Sequence, residues 1–101
     1  MSVLPNEVIY EASFRKDIHD LPREIQEKLA ELITILVENS FDPRLHTKSL
    51  NPPLQEVFSF RITRDYRAGF MFDAPRVIRL LIADKRDQIY QRLRRKMQLY
   101  K

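Results

Sequence analysis

The chain has 101 residues, of which 44% are hydrophobic and 32% charged, a balance that excludes a disordered chain and suffices for one small core. It contains no cysteine, which excludes disulfide frameworks and thiolate metal sites and fits a reducing cytoplasm. The apolar runs are too short to cross a bilayer, and residues 1–10 lack the pattern of a signal peptide. We therefore expect a single cytoplasmic domain over residues 1–101 that has no membrane partner.

Charge is distributed unevenly along the chain. Residues 1–60 contain 6 Lys/Arg and 10 Asp/Glu, whereas residues 61–101 contain 12 Lys/Arg and 4 Asp/Glu. The C-terminal part therefore carries a net charge of +8, which is typical of proteins that bind a polyanion such as a nucleic acid. A solvated basic surface that keeps the protein soluble is an equally simple interpretation.

The first half of the chain predicts one strand followed by two helices. Residues 6–12 contain the β-formers of a strand, and Ser13 is the expected N-cap of a short helix over residues 14–20. Pro22 separates that helix from a second one, because proline disfavours helical backbone in the residue before it. The second helix is expected to reach about Asn39. Apolar residues in both helices recur at spacings of three and four, which predicts a helix hairpin with one buried face.

The second half predicts a long connection, three strands and a final helix. Residues 40–55 are rich in proline and polar turn formers, and long connections in compact domains are often functional. Strands are expected at residues 56–63, 66–73 and 76–83, and their short turns make them antiparallel. A basic helix is expected over residues 87–100. The order β-α-α-β-β-β with a C-terminal helix predicts an α+β fold, in which the hairpin packs on one face of a four-stranded, mainly antiparallel sheet.

Side chains alternate between the two faces of these three strands. One face is apolar throughout and is expected to cover the helix hairpin. Its residues are Phe58, Phe60, Ile62, Tyr66, Ala68, Phe70, Phe72, Ile78, Leu80 and Ile82. The opposite face carries Arg61, Arg67 and Arg79 and is expected to lie open. Gly69 belongs to that face, where a glycine indicates close approach by another backbone or a ligand, or else a bulge.

Clustered arginines on an open sheet face can bind phosphate through charge and bidentate hydrogen bonds. Cleavage of RNA needs a base for the 2′-hydroxyl, positive charge for the phosphorane and a proton for the leaving oxygen. Five residues can supply these functions without a metal or another cofactor, and they are the candidate catalytic residues: Lys48, Arg61, Arg67, Arg86 and Tyr90. The candidate substrate-binding residues are Arg64, Gly69 and Arg79. Each of these side chains has a plain alternative, as a solvated charge or a packing residue.

Metal chemistry is not indicated by the histidines. His19 lies in a predicted helix and His46 in a distant loop, so they lack the spacing of metal ligands. We therefore expect no metal site.

The order of the elements and several short motifs resemble the RelE/ParE superfamily of toxins from bacterial type II toxin–antitoxin pairs. The motifs are 48-KSL-50, 58-FSFRI-62, 66-YR-67, 77-VIRLLIA-83 and 85-KRDQIY-90. The resemblance covers nearly the whole chain. By position, Arg61 matches the arginine of the family's S-x-R strand and Arg67 that of its Y-R strand. Arg86 and Tyr90 match the C-terminal close of the family pattern, and Lys48 matches its loop lysine region.

The resemblance implies a small toxin that inhibits translation. RelE-like members cut mRNA in the ribosomal A site without a metal and leave a 2′,3′-cyclic phosphate. The implied partners are a cognate antitoxin, the ribosome and mRNA, with a higher-order toxin–antitoxin assembly as a further expectation. ParE-like members poison DNA gyrase instead, and a non-catalytic binding module can have the same fold. The combination of Arg61, Arg67, Arg86 and Tyr90 favours RNA cleavage among these alternatives.

Overall fold

The computed structural model describes residues 4–52 and 54–98. The elements are β1 (Glu7–Tyr10), α1 (Ala12–Asp20), α2 (Arg23–Glu38), a 3-10 turn (Pro43–Leu45), β2 (Lys48–Ser49), β3 (Phe58–Arg61), β4 (Tyr66–Ala74), β5 (Val77–Lys85) and α3 (Arg86–Gln98). The predicted α+β class, the helix hairpin and the C-terminal helix are therefore confirmed. The last two residues of the predicted C-terminal helix, 99 and 100, lie outside the described part of the chain. No helix formed by the described residues is long and apolar enough to cross a membrane.

The sheet has five strands in the order β1-β5-β4-β3-β2. β1 runs parallel to β5, and the other neighbours pair antiparallel, as expected for a mainly antiparallel sheet. The strand that the sequence did not predict is β2, in which Lys48 and Ser49 pair with Ser59 and Phe58. It lies within the predicted connection, because only two residues of that segment meet the edge of β3.

The helix hairpin covers one face of the sheet, as the alternation of side chains predicts. Leu29, Leu32 and Leu36 of α2 pack in one buried cluster with residues of the central strands such as Phe60 and Phe70. Burying a side chain of this size stabilises the fold by about 1.5–3 kcal/mol, so this cluster is the main core of the molecule.

The start of α1 differs from the prediction. Glu11 is the N-cap and Ser13 lies inside the helix, where its hydroxyl donates to the carbonyl of Leu81 at 2.8 Å. The serine therefore ties α1 to β5 instead of capping the helix.

A bulge in β5 corrects the predicted faces near its end. Gly69 pairs with Ile82, but the next residue, Phe70, pairs with Leu80, so Leu81 is the extra residue. The alternation therefore shifts by one position beyond the bulge. Ile82 packs on the α3 side and Ala83 on the hairpin side, the reverse of the expectation from strict alternation.

The arginine-bearing face of the sheet is partly covered by α3, and the expectation of a fully open face is wrong. Ile89 and Leu93 of α3 are fully buried against Val57, Leu81 and other residues of a second apolar cluster. The face remains accessible only beyond this cluster. The helix therefore limits where a ligand can reach the sheet.

Gly69 lies directly under α3. A Cβ at this position would lie 2.9 Å from both methyl carbons of Leu93, closer than van der Waals contact allows. The glycine therefore marks the close approach of an internal side chain. Its assignment as a substrate-binding residue stays a prediction.

Candidate functional site

Arg67 lies beyond the edge of α3 and is almost buried, with 9% of its surface exposed. Its Nε and Nη2 donate to the hydroxyl of Ser59 at 3.3 and 3.1 Å, and Nη2 also donates to the carbonyl of His46 at 3.4 Å. The guanidinium is therefore held by neutral oxygen atoms on two different segments.

The surroundings of Arg67 are positively charged. Arg61 stands directly opposite it on β3. Burial lowers the pKa of the Arg67 guanidinium, and the charges of Arg61 and Arg86 lower it further, while Tyr90 acts in the opposite direction. Arginine keeps its proton in spite of such a shift. Burial and the neighbouring cations thus disfavour the positive charge of Arg67, and a bound anion relieves that cost.

No carboxylate of the described residues pairs with Arg67. Asp84 is its register neighbour on β5, but Asp84 accepts a hydrogen bond from Arg92 at 2.9 Å. Neither Asp84 nor the other nearby acid, Asp65, therefore forms an ion pair with Arg67. A buried cation without a carboxylate is costly unless an anionic partner arrives.

A cleft of about 470 Å³ beside Arg86 lies between α3 and the segment formed by residues 48–52 and 54. Its charged and aromatic lining residues are Lys48, Arg86, Tyr90 and Arg94. The last three recur every four residues on α3, which places them on one stripe of the helix. The Lys48 ammonium lies 5.7 Å from the centre of the Tyr90 ring, within cation–π range. The cleft is therefore lined by three cations and a phenol.

Arg86 also lines a neighbouring cleft of about 700 Å³ that contains Arg64, Tyr66 and Lys85. The backbone N–H of Arg86 donates to the carbonyl of Asp65 at 2.7 Å, which fixes the start of α3 against the β3–β4 turn. Arg86 thus stands between two clefts. Arg64 belongs to the second cleft and not to the first.

Arg79 is not part of this arrangement. It lies opposite Met71, four residues along β4 from Arg67, or about 13 Å at the usual strand rise. Its Nε donates to both carboxylate oxygens of Asp73, at 3.1 and 2.9 Å. The guanidinium of Arg79 is thus paired with a neighbouring acid far from the other arginines, and its assignment to substrate binding stays a prediction.

The described residues contain no group of three or more His, Cys, Asp and Glu side chains that could hold a metal ion. His46 enters the site through its backbone instead. It has a left-handed conformation with φ 50° and ψ 44°, which ends the 3-10 turn, and its carbonyl accepts from Arg67.

An ion-pair network centred on Arg92 fixes α3 on the sheet. Arg92 donates to Asp17 of α1 and to Asp84 of β5 at 2.9–3.1 Å. Burial alone would lower the pKa of Arg92, but the hydrogen bonds to the two acids outweigh it and raise that pKa. This anchor sets the position of the helix that carries Arg86 and Tyr90.

Two members of the site, Ser59 and Arg94, are not among the candidate residues predicted from the sequence. The spacing Arg86, Tyr90, Arg94 is a signal for the second, since it defines one helical stripe. Ser59 gave no comparable signal, because its role depends on the diagonal approach of Arg67 from the adjacent strand.

Comparison with known proteins gives structural matches only. No protein-family model matches the sequence, and no curated protein matches it significantly. One similar structure is the toxin–antitoxin complex RelBE2 from Mycobacterium tuberculosis, with a TM-score of 0.68 and 27% identity over 81% of this chain and 99% of that chain.

Two further structures are similar in fold. YafQ from E. coli has a TM-score of 0.70 and 15% identity over 84% of this chain and 98% of its own. The archaeal RelE–RelB complex from Pyrococcus horikoshii has a TM-score of 0.66 and 19% identity over 80% of this chain and 94% of that chain. The resemblance predicted from the sequence is thus confirmed, since these structural neighbours are RelE-like toxins and the chain has their fold.

Proposed function

We propose that this RelE-like chain is the toxin of a type II toxin–antitoxin pair and acts as a metal-independent endoribonuclease on mRNA at the ribosome. The observation that carries the proposal is the burial of Arg67 without a carboxylate partner, with Arg61, Arg86 and Tyr90 around it. A site that disfavours its own charge gains most from a ligand of opposite charge. A phosphodiester of single-stranded RNA is such a ligand.

The chemistry follows from the groups present. In RNA cleavage the 2′-oxygen attacks phosphorus as it loses its proton, and the 5′-oxygen leaves as it gains one, which gives a 2′,3′-cyclic phosphate. The phosphorane carries more negative charge than the phosphodiester, so preorganised cations stabilise the transition state more than the ground state. Arg67 supplies this charge from a fixed position, and Arg61 and Arg86 add to it.

In this proposal, the groups that transfer protons line the cleft beside Arg86. Lys48 and Tyr90 both line it, and the Lys48 ammonium lies over the Tyr90 ring at 5.7 Å from its centre. A phenol and an ammonium are the two titratable groups next to the bound phosphate in this proposal. One of them takes the proton of the attacking oxygen and the other gives a proton to the leaving oxygen. The effect of substituting each residue on the pH profile of cleavage assigns the two roles.

A cognate antitoxin in the same cytoplasm is the expected protein partner. Two of the similar structures are complexes of a toxin with its antitoxin. An acidic or amphipathic antitoxin segment complements the basic C-terminal part of this chain. We also expect toxin and antitoxin to form a higher-order assembly.

The test is induction of the protein in cells with two readouts, primer extension on mRNA and detection of gyrase-trapped DNA breaks. The variants are Arg67→Ala and, as a control with the same loss of charge, Arg76→Ala on the exposed β4–β5 turn. We expect new mRNA ends on translated messages only, with a loss of about 10²–10³-fold in cleavage for Arg67→Ala and none for Arg76→Ala.

The competing functions give different results in the same experiment. DNA breaks with intact mRNA identify a gyrase inhibitor of the ParE type. Growth inhibition with neither readout identifies a non-catalytic binding module. A folded Arg67→Ala variant with full cleavage activity contradicts the role of the buried arginine.

A further inference from the structure

Ser59 is a fully buried polar residue at the centre of β3, with no exposed surface. It lies diagonally across from Arg67 on β4, since the register pairs Ser59 with Gly69 and Arg61 with Arg67. Its hydroxyl oxygen accepts from both Nε and Nη2 of Arg67. Because Ser59 is fully buried, its hydroxyl interacts with the guanidinium of Arg67 and not with solvent.

The hydrogen bonds divide the guanidinium into two edges. A guanidinium has five N–H groups in a fixed fork. The Nε and Nη2 groups point inward, to the Ser59 hydroxyl and the His46 carbonyl. Nη1 has no hydrogen-bond partner among the described residues, so its N–H groups form the edge that remains for a ligand.

The acceptor of these hydrogen bonds, the Ser59 hydroxyl, is uncharged, and this matters for phosphate binding as much as its position does. An aspartate or glutamate is the usual partner of a buried arginine, but its negative charge would cancel the attraction for phosphate. A serine hydroxyl orients the fork and leaves the full positive charge in place. Arg92 shows the opposite arrangement in the same molecule, because two carboxylates hold it and it serves as an anchor.

We propose that Ser59 is a positioning residue, whose hydroxyl aims the free edge of Arg67 at the scissile phosphate while keeping the guanidinium charged. This inference rests on the proposed ribonuclease function. Ser59 touches neither substrate nor reacting atoms and acts through Arg67 alone. Its loss therefore lowers the rate of cleavage more than it weakens substrate binding, because a displaced donor fits the transition state less well.

The first test compares Ser59→Ala with Ser59→Thr, which restores a hydroxyl, and with Ser40→Ala. Ser40 is also buried and lies outside the site, so it controls for the loss of a buried hydroxyl. In cleavage of mRNA on ribosomes, we expect kcat to fall about 10- to 100-fold for Ser59→Ala with KM within about twofold. Ser59→Thr is expected to recover most of the rate, and Ser40→Ala to keep it.

A double-mutant cycle with Arg67→Ala separates positioning from general destabilisation. If Ser59 acts through Arg67, then Ser59→Ala has no further effect on cleavage in the Arg67→Ala background. If Ser59→Ala lowers the cleavage rate by the same factor in the wild-type and Arg67→Ala backgrounds, the inference is overturned. It is also overturned if Ser59→Ala and Ser40→Ala lower that rate equally.

A second measurement does not depend on cleavage. The hydrogen-exchange rate of the Arg67 Nε–H, followed by NMR, is expected to be slow in the wild type and to rise at least tenfold in Ser59→Ala. If the wild type cleaves no RNA but shows this change, the proposed function fails and the positioning stands. An exchange rate that is the same in both proteins overturns the positioning role.

Discussion

Replacement of Arg92 by methionine tests how α3 is held in place. Methionine keeps most of the apolar stem of arginine and removes the charge. Arg92 bridges Asp17, whose side chain is 9% exposed, and Asp84, whose side chain is 28% exposed. The substitution therefore leaves the carboxylate of Asp17 enclosed without its cation, although the backbone N–H of Ala83 still donates to it at 3.0 Å.

The magnitude lies between two limits. Removing one partner of a fully buried ion pair costs about 3–5 kcal/mol, whereas an exposed pair contributes about 0–1 kcal/mol. The Arg92 side chain is 35% exposed, and solvent screening reduces the upper figure. We expect a loss of about 2–3 kcal/mol, which corresponds to a fall in Tm of about 10–20 °C for a domain of this size.

Thermal and urea unfolding of Arg92→Met measure this loss, with Arg95→Met as the matched control. Arg95 is exposed on the same helix, so its replacement changes the net charge equally and is expected to shift stability by less than about 0.5 kcal/mol. Amide hydrogen exchange in α3 is expected to rise in Arg92→Met. Equal stability of the two variants would mean that this ion-pair network does not anchor the helix.

Three further predictions concern packing, pH and the phenol. Gly69→Ala is expected to destabilise the fold by about 1–3 kcal/mol through overpacking against Leu93. In a double-mutant cycle, Leu93→Ala is expected to remove that clash, and additive costs of the two substitutions in urea unfolding would contradict the prediction. The Asp42 pKa is lowered from 3.8 to about 2, chiefly by the hydrogen bond from the Arg44 side chain. The ionised Asp42 carboxylate therefore stabilises the fold fully above pH 3.8, and this stabilisation is lost as the pH falls through 2. The Tm advantage of the wild type over Asp42→Asn should accordingly shrink between about pH 4 and about pH 2, and a constant difference would oppose this. Tyr90→Phe keeps the ring and removes the hydroxyl, so we expect cleavage to fall about 10²-fold or more with unchanged thermal stability; full activity would remove the phenol from the reaction.

The helix hairpin and the apolar face of the sheet could be predicted because they depend on short-range periodicity. Leu29, Leu32 and Leu36 recur at helical spacing and are buried together. Phe60 and Phe70 have the parity of the hairpin-facing side and lie in the same cluster. The period of the apolar pattern is a property of the sequence, and any compact fold must bury that pattern.

The end of β5 could not be predicted in the same way. A single extra residue, Leu81, reverses the alternation, so that Ile82 and Ala83 exchange faces. A bulge depends on how the partner strand and α3 pack against β5, and no local motif in the sequence specifies it. The cover over Gly69 is unpredictable for a similar reason, since it comes from a helix that is distant in the sequence.

Local patterns in the sequence specify which chemical groups the candidate site contains: arginines on one face of the strands, a tyrosine and further arginines on a helical stripe, and a lysine in the connection. Strand alternation alone places Arg61, Arg67 and Arg79 on the same face. Their different environments appear only in the folded chain, where Ser59 and the His46 carbonyl enclose Arg67, Asp73 engages Arg79, and α3 brings Tyr90 beside Lys48. These differences arise because the burial and the hydrogen-bond partners of a side chain depend on segments that are far apart in the sequence and meet only on folding.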